Sequence, residues 1–146
     1  MCTNVVVDTS ILIKKSLGIF EYLNSKGYNP LFPTVVLYEY MNFVRKRWNE
    51  LRNKKNIKSA SGRAIGHIET ADTLFNLIKD RISKNTTTLL NPDIDDFIKS
   101  LQILKDADVD AGDAIITTIA AKLQYKVITG DRDWERLKDY VDYEIH

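Results

Sequence analysis

Short β-branched runs alternating with amphipathic helical segments are the feature that most restricts how this chain can fold. Asn4 to Asp8 reads N-V-V-V-D, which is typical of a strand buried on both faces of a parallel sheet. A helical pattern follows from Ser10, and further strands are predicted at Lys126 to Thr129 and at Tyr143 to Ile145, the last as an edge strand. This alternation predicts an α/β fold with a mostly parallel sheet flanked by helices.

Two long helical patterns occupy the middle of the chain. The first runs from Thr34 to about Leu51, and the second runs from about Ser61 to Ser83. Together they predict an antiparallel helical hairpin at about residues 34–83. The length of 146 residues fits a single domain over residues 1–146.

Shorter helices are predicted in the C-terminal half. Asn91 is expected to begin one of them with Pro92 at its first helical position. Its apolar face carries three residues at helical spacing: Phe97, Leu101 and Leu104. Asp110 is expected to cap a helix over residues 111–123, and Asp133 to cap a short helix further on.

The charge balance excludes a protein that attracts its partners through a strong overall basic field. The chain has 21 Lys and Arg residues against 20 Asp and Glu residues, so a nucleic-acid function must rest on local patterning. The single cysteine, Cys2, cannot form an internal disulfide, and no apolar run approaches the roughly 20 residues that cross a bilayer. Without a signal-peptide pattern, we expect a protein of the reducing cytoplasm with no membrane partner.

Acidic residues stand at equivalent places in separate segments. Asp8 ends the first strand, Asp113 opens a helix, and Asp131 lies two residues past the strand that ends at Thr129. Glu39 lies one turn into its helix and close to the apolar stripe. Because right-handed crossovers bring such positions to one edge of a parallel sheet, we expect the four carboxylates to share a cleft.

The chemistry of four neighbouring carboxylates points to a divalent cation. Their mutual repulsion destabilises the fold unless a cation compensates for it. Oxygen ligands without His or Cys favour Mg²⁺ or Mn²⁺, as one ion or two. Such ions lower the pKa of an attacking water and stabilise a leaving oxygen, which is the chemistry of phosphodiester cleavage.

Four ordered blocks of sequence resemble those of the PIN-domain ribonucleases. They are V-V-V-D-T-S-I-L at 5–12, V-L-Y-E at 36–39, A-G-D-A-I-I-T-T-I-A at 111–120 and V-I-T-G-D-R-D-W at 127–134. Within the family the chain is most similar to the single-domain VapC-type toxins. The resemblance implies a three-layer α/β/α sandwich with a central, mostly parallel sheet of four or five strands. It further implies RNA cleavage dependent on Mg²⁺ or Mn²⁺, a homodimer, and inhibition by an antitoxin protein.

The resemblance also implies roles for particular residues. Those that look like the family's catalytic and metal-binding quartet are Asp8, Glu39, Asp113 and Asp131. Asp133 resembles an auxiliary metal-binding acid, and the residues implied to support the ligands are Ser10, Thr117 and Thr129. Two departures, a long basic stretch at 49–83 and a short segment before Pro30, are consistent with a subfamily that has another substrate or partner.

The acidic residues also have structural explanations that involve no metal. A strand-ending Asp is commonly a turn residue, one of Asp131 and Asp133 is expected as an N-cap, and Glu39 could pair with Arg45. The leading hypothesis is a metal-dependent endoribonuclease that is the VapC-like toxin of a toxin-antitoxin pair. The alternatives are a PIN nuclease of RNA processing or decay, and a catalytically silent scaffold that binds RNA or protein.

A basic run begins within the first long helix and continues past its end. Its candidate RNA-binding residues are Arg45, Arg52, Lys54 and Lys55. Next to an acidic metal cleft such residues could contact phosphates, although most charge runs are solvated faces.

Overall fold

Strands and helices alternate along the chain. A computed structural model describes residues 2–52 and 57–146, with side chains described for residues 2–51 and 66–146. The strands are β1 (Thr3–Val7), β2 (Tyr28–Pro33), β3 (Leu89–Leu90), β4 (Lys126–Thr129) and β5 (Tyr143–Ile145). The α-helices are α1 (Thr9–Lys15), α2 (Ile19–Ser25), α3 (Thr34–Arg52), α4 (Ile57–Ser83), α5 (Ile94–Ala107) and α6 (Ala111–Leu123), and 3-10 helices span Ser16–Gly18 and Arg132–Leu137.

The strands form one parallel sheet in the order β3-β2-β1-β4-β5. At its centre, Val6 of β1 lies opposite Leu31 of β2 on one side and Val127 of β4 on the other. The predicted α/β/α sandwich with a parallel sheet of four or five strands is confirmed. The chain winds outward from β1 to β3 and then returns to β4, so the topology reverses between β1 and β4, where ligands of such sheets bind.

The long helices α3 and α4 pack against each other in antiparallel directions. The ring of Tyr40 lies 6.0 Å from that of Phe75, while Phe43, further along α3, lies 6.4 Å from His67, which is earlier in α4. In the part of the chain that the structure describes, no helix is long and apolar enough to cross a membrane.

The segment before β2 differs from its prediction. The single helix expected from Ser10 is divided into α1 and α2, because Ser16 adopts a positive φ of 48° and ends α1. The strand expected at Leu31 and Phe32 extends over six residues and includes Pro30. The carbonyl of Pro30 accepts a hydrogen bond from Thr87, so the nitrogen of Pro30, which points to the same side of the strand, also faces β3. The ladder between β2 and β3 includes only Phe32 and Pro33 of β2, so the missing N–H of Pro30 costs no ladder hydrogen bond.

Helix α5 starts later than predicted, and its predicted apolar face is only partly buried. Pro92 lies before the helix, and Asp93 is the N-cap, within a capping box completed by Asp96. Phe97 and Leu101 are exposed, whereas Leu104 is half-buried against the core.

A polar network joins β5 to the start of β2 and β4. Glu144 accepts hydrogen bonds from the Tyr28 hydroxyl at 2.6 Å and from Lys126 Nζ at 3.0 Å, and it contacts His146 Nε2 at 2.7 Å. The Tyr28 hydrogen bond is the largest of the influences that lower the pKa of Glu144 to about 2. The folded state therefore favours ionised Glu144.

We expect the Glu144→Gln variant to be less stable than the parent protein near neutral pH, with a difference that shrinks as the pH falls. A carboxylate whose pKa is lowered on folding contributes stability above its unfolded pKa, and this contribution is lost as the pH falls towards its folded pKa. Urea unfolding of both proteins between pH 7 and pH 3 measures the difference. A difference that is the same at both ends of this range would contradict the assignment.

Candidate active site

Asp8 follows β1 at the point where the sheet topology reverses, and its side chain is 4% exposed. One oxygen, Oδ2, accepts three hydrogen bonds: from Ser10 Oγ at 2.7 Å, from Thr129 Oγ1 at 2.8 Å and from Trp134 Nε1 at 3.1 Å. Among the described residues, no donor bonds to Oδ1. The carboxylate is thus held rigidly by one oxygen while the other is available to a ligand.

The hydroxyl groups that hold Asp8 are themselves held by the turn after β4. Ser10 Oγ and Thr129 Oγ1 are 2.9 Å apart. The backbone N–H of Gly130 donates to Ser10 Oγ at 2.8 Å, and that of Asp131 donates to Thr129 Oγ1 at 3.0 Å. These contacts join α1 to the β4 turn and fix the two hydroxyl groups that hold Asp8.

Glu39 reaches the same region from α3. Its Oε1 accepts a hydrogen bond from Thr9 Oγ1 at 2.7 Å. A Cβ atom at Gly112, in the first turn of α6, would lie 2.7 Å from Glu39 Cδ, so only glycine lets this carboxylate approach the helix backbone so closely. Burial raises the pKa of Glu39, and the nearby charges of Asp110 and Asp8 raise it further, against the opposing effect of the Thr9 hydrogen bond.

Asp113 is the electrostatic centre of the acidic group. Burial raises its pKa to about 8, and the effect is increased by four other carboxylates, in order Asp8, Asp110, Glu39 and Asp131. The other three predicted acids therefore all lie within electrostatic range of Asp113. The four predicted acids and Asp110 are together called the acidic cluster below.

The turn after β4 differs from its prediction in which acid caps the 3-10 helix. Asp133 was expected to cap the short helix, but the cap is Asp131, whose Oδ1 accepts a hydrogen bond from the Asp133 N–H at 2.9 Å. The strand ends early enough for Asp131 to take the extended N-cap conformation. Asp133 is exposed and is not among the charges that raise the pKa of Asp113.

Four residues of the site were not predicted from the sequence as parts of it. Asp110 was expected only as a helix cap, which it is, since it accepts a hydrogen bond from the Asp113 N–H at 2.9 Å. Its charge also adds to the cluster. The others are Thr9, Gly112 and Trp134, and the only sequence signal for them was that each adjoins or lies near a predicted acid.

The structure says less about the roles of the remaining predicted residues. Thr117, one turn after Asp113, is fully buried, and its hydroxyl has no hydrogen-bond partner among the described residues. Arg45 is exposed on α3. The predictions for Arg52, Lys54 and Lys55 fall outside the described side chains.

The acidic cluster suits a hard divalent cation in its chemistry. Its donors are all carboxylate oxygens, and burial together with the nearby negative charges disfavours ionisation of Glu39 and Asp113 without a cation. Within the described residues, however, no three His, Cys, Asp or Glu side chains converge closely enough to hold an ion as they stand. The group has the composition and charge of a metal site without a closed set of ligands.

Comparison with protein families identifies the chain. The family model described as PIN domain matches residues 5–140, and the chain therefore belongs to the PIN-domain family, whose members are nucleases. No curated protein matches the sequence.

Solved structures show the same fold at low sequence identity. PAE2754 from Pyrobaculum aerophilum is 17% identical with a TM-score of 0.59, over 96% of this chain and 83% of that one. The DNA-bound VapBC from Salmonella typhimurium is 18% identical with a TM-score of 0.57, over 99% and 98%. VapBC-5 from Mycobacterium tuberculosis is 19% identical with a TM-score of 0.54, over 98% and 97%.

Replacing Asp113 with Asn is expected to stabilise the protein in a chelating buffer at pH 8 by on the order of 1–3 kcal/mol. Because the pKa of Asp113 is raised on folding, the parent protein loses stability as the pH rises from about 4 to about 8. The variant lacks this part of the loss. Urea unfolding at pH 5 and pH 8 measures the effect, with the exposed Asp139→Asn as the matched control. Equal pH dependence in the parent and Asp113→Asn would show that Asp113 does not carry the repulsion.

Proposed function

We propose that the protein is a metal-dependent endoribonuclease that hydrolyses RNA phosphodiester bonds. The observation that carries the proposal is the acidic cluster, in which partial burial of Asp113, together with four neighbouring carboxylates, raises the pKa of Asp113 to about 8. Such a concentration of buried negative charge destabilises the fold and is retained where it serves a function. Membership of the PIN-domain family supports a nuclease.

The residues proposed to hold one or two Mg²⁺ or Mn²⁺ ions are Asp8, Glu39, Asp113 and Asp131. Asp8 would offer Oδ1, because its Oδ2 is occupied by three donors. Glu39 would reach the ion from its position beside the backbone of Gly112. Asp133 is proposed as an auxiliary ligand that needs a change in side-chain position, since it is exposed. When bound, the metal supplies a water of lowered pKa and neutralises charge on the phosphate.

The RNA backbone is proposed to run beside the acidic cluster along the basic part of the hairpin. Arg45 is exposed on α3, six residues after Glu39, and Arg52, Lys54 and Lys55 follow it in the sequence. Phosphate contacts of this kind make binding dependent on salt and independent of base sequence.

We expect Asp8→Asn and Asp113→Asn each to lower Mn²⁺-dependent RNA cleavage by roughly 10²- to 10³-fold. In Asp8→Asn, the carbonyl of the new amide would turn towards the three donors that now bond to Oδ2, leaving its NH₂ group where a ligand oxygen is needed. The fold is then retained while the ligand is lost. The measurement is cleavage of a single-stranded RNA with and without EDTA.

Two controls make this experiment decisive. Asp139→Asn removes an exposed carboxylate that is not among the charges acting on Asp113, and it should cleave like the parent. Mn²⁺ should raise the melting temperature of the parent but not that of Asp8→Asn. Cleavage that persists in both cluster variants would show that the acidic cluster is not the nuclease site. Mn²⁺ binding without any cleavage would favour the silent RNA- or protein-binding scaffold.

We further propose that the protein is the toxin of a toxin-antitoxin pair, acts in the cytoplasm and forms a homodimer. Two of the similar structures are named as VapBC, one of them as a member of a toxin-antitoxin family. The surface proposed for the antitoxin is an apolar groove of about 360 Å³ between α3 and α4, lined by Met41, Val44, Arg45, Trp48, Ile68, Ala71, Asp72 and Phe75. A nuclease of RNA processing or decay would have the same cluster but no such dedicated inhibitor.

The antitoxin proposal predicts that a small protein encoded immediately upstream copurifies with this chain and inhibits its cleavage of RNA. Ile68→Asp, in the groove, should weaken that complex by at least about 30-fold, since it buries a charge at the centre of an apolar contact. Pull-down and inhibition titrations measure both effects. If the upstream product neither binds nor inhibits, a role in RNA processing becomes the better assignment.

A further inference from the structure

Trp134 connects the acidic cluster to the 3-10 helix that follows β4. Its side chain is fully buried, and its Nε1–H donates a hydrogen bond to Asp8 Oδ2 at 3.1 Å. The N-cap of the same helix is Asp131, another acid of the cluster. One helix of six residues is therefore capped by one acid of the cluster and orients a second.

The indole of Trp134 differs from the other two donors to Asp8 because its hydrogen cannot be redirected. Ser10 and Thr129 hold Oδ2 through hydroxyl groups, whose hydrogens rotate and whose oxygens also accept hydrogen bonds. An indole has one donor and no acceptor, and the close packing around Trp134 fixes the direction of its N–H. A movement of Oδ2 towards a ligand would leave this buried donor unsatisfied, which is unfavourable.

Asp8 is held by more donors than the acids that approach it from other helices. Its Oδ2 accepts three hydrogen bonds from side chains of the described residues. Within the same part of the chain, Glu39 accepts one, from Thr9, and Asp131 accepts one, from a backbone N–H. Because no three described side chains converge closely enough to hold an ion as they stand, a bound cation must draw ligands together. The more weakly held acids adjust to the ion, whereas Asp8 imposes its own geometry on it.

We propose that Trp134 is a positioning residue that makes Asp8 a one-oxygen ligand and thereby favours Mg²⁺ and Mn²⁺ over Ca²⁺. With three donors around Oδ2, a cation reaches Asp8 through Oδ1 alone. Mg²⁺ requires near-ideal octahedral geometry at about 2.0–2.1 Å, which a carboxylate satisfies best through a single oxygen. Ca²⁺ takes about six to eight oxygens at roughly 2.3–2.6 Å and also binds both oxygens of one carboxylate.

The ratio of two metal affinities separates this role from a contribution to the core. The inference rests on the proposed metal site and adds to it the residue that selects the ion. Trp134 is also part of the hydrophobic core, so its replacement lowers the stability of the fold as well. A loosened site loses affinity for every cation. Loss of the one-oxygen restriction instead weakens the binding of Mn²⁺ while opening Asp8 to Ca²⁺, so it changes the ratio of their affinities.

Electron paramagnetic resonance of free Mn²⁺ measures metal binding without reference to cleavage, and competition with Ca²⁺ gives the second affinity. The parent should bind Mn²⁺ more tightly than Ca²⁺. Trp134→Phe keeps an aromatic ring and removes the N–H, and it should lower the affinity for Mn²⁺ by about 10-fold and that for Ca²⁺ by less than about 2-fold. The matched control is Trp48→Phe, the same change in the apolar groove between α3 and α4, which should keep the parent's ratio of affinities.

An isosteric replacement gives the same test if Trp134→Phe does not fold. The chain has two tryptophans, so Trp134 is the remaining one in the Trp48→Phe variant. Biosynthetic replacement of tryptophan by benzothienylalanine in that variant exchanges the N–H of residue 134 for sulfur and keeps a fused ring of similar shape. Thermal melting in EDTA checks that the protein is folded. Its selectivity for Mn²⁺ over Ca²⁺ should fall as in Trp134→Phe, because both changes remove the same donor from Asp8.

The remaining outcomes distinguish failure of this inference from failure of the proposed metal site. A parent protein that binds no Mn²⁺ would overturn both. A parent that binds Mn²⁺ no more tightly than Ca²⁺ would overturn the selective role of Trp134 and leave the metal site in place. The same holds if the folded protein without the N–H at residue 134 loses affinity for both ions in parallel, since Trp134 would then support the fold without selecting the ion.

Discussion

The carboxylate of Asp8 is the interaction on which the site depends. Its Oδ2 receives hydrogen bonds from a residue of α1, from the last residue of β4 and from the 3-10 helix that follows β4. One anionic oxygen thus joins three elements that meet at the reversal of the sheet topology. Charge-assisted hydrogen bonds of this kind are strong when they are buried, so the position of Asp8 is fixed before any ligand arrives.

The other acids of the cluster are positioned by close contacts with backbone atoms instead of by ion pairs. Glu39 lies against the glycine in the first turn of α6, Asp110 caps that helix, and Asp131 caps the 3-10 helix. Helix N-termini compensate for part of the negative charge. They do not remove the cost of ionisation, because burial and the neighbouring carboxylates still raise the pKa of Asp113 to about 8. The stability lost here is the physical reason to assign the cluster a cation.

Local sequence rules predicted the parts of the structure that depend on local chemistry. The β-branched run before Asp8, the cap at Asp110 and the strand at Lys126–Thr129 were all predicted, since each is determined by a few neighbouring residues. The cap of the 3-10 helix was assigned to Asp133 instead of Asp131, because the cap position depends on where the backbone leaves the extended conformation. Gly112 was missed because its importance comes from Glu39, which is 73 positions away in the sequence.

Helix α5 shows why periodicity alone cannot assign a core. The spacing of Phe97 and Leu101 correctly predicted that they share a face, but it contains no information on which face turns inward. That choice depends on Asp96 and Ser100 finding polar partners on α6, which a single segment cannot reveal. Burying Asp96 without Lys122 would leave an unpaired charge inside the protein, at a cost of several kcal/mol. The pairing with α6 therefore helps to fix the orientation of α5, and the exposure of Phe97 and Leu101 is its consequence.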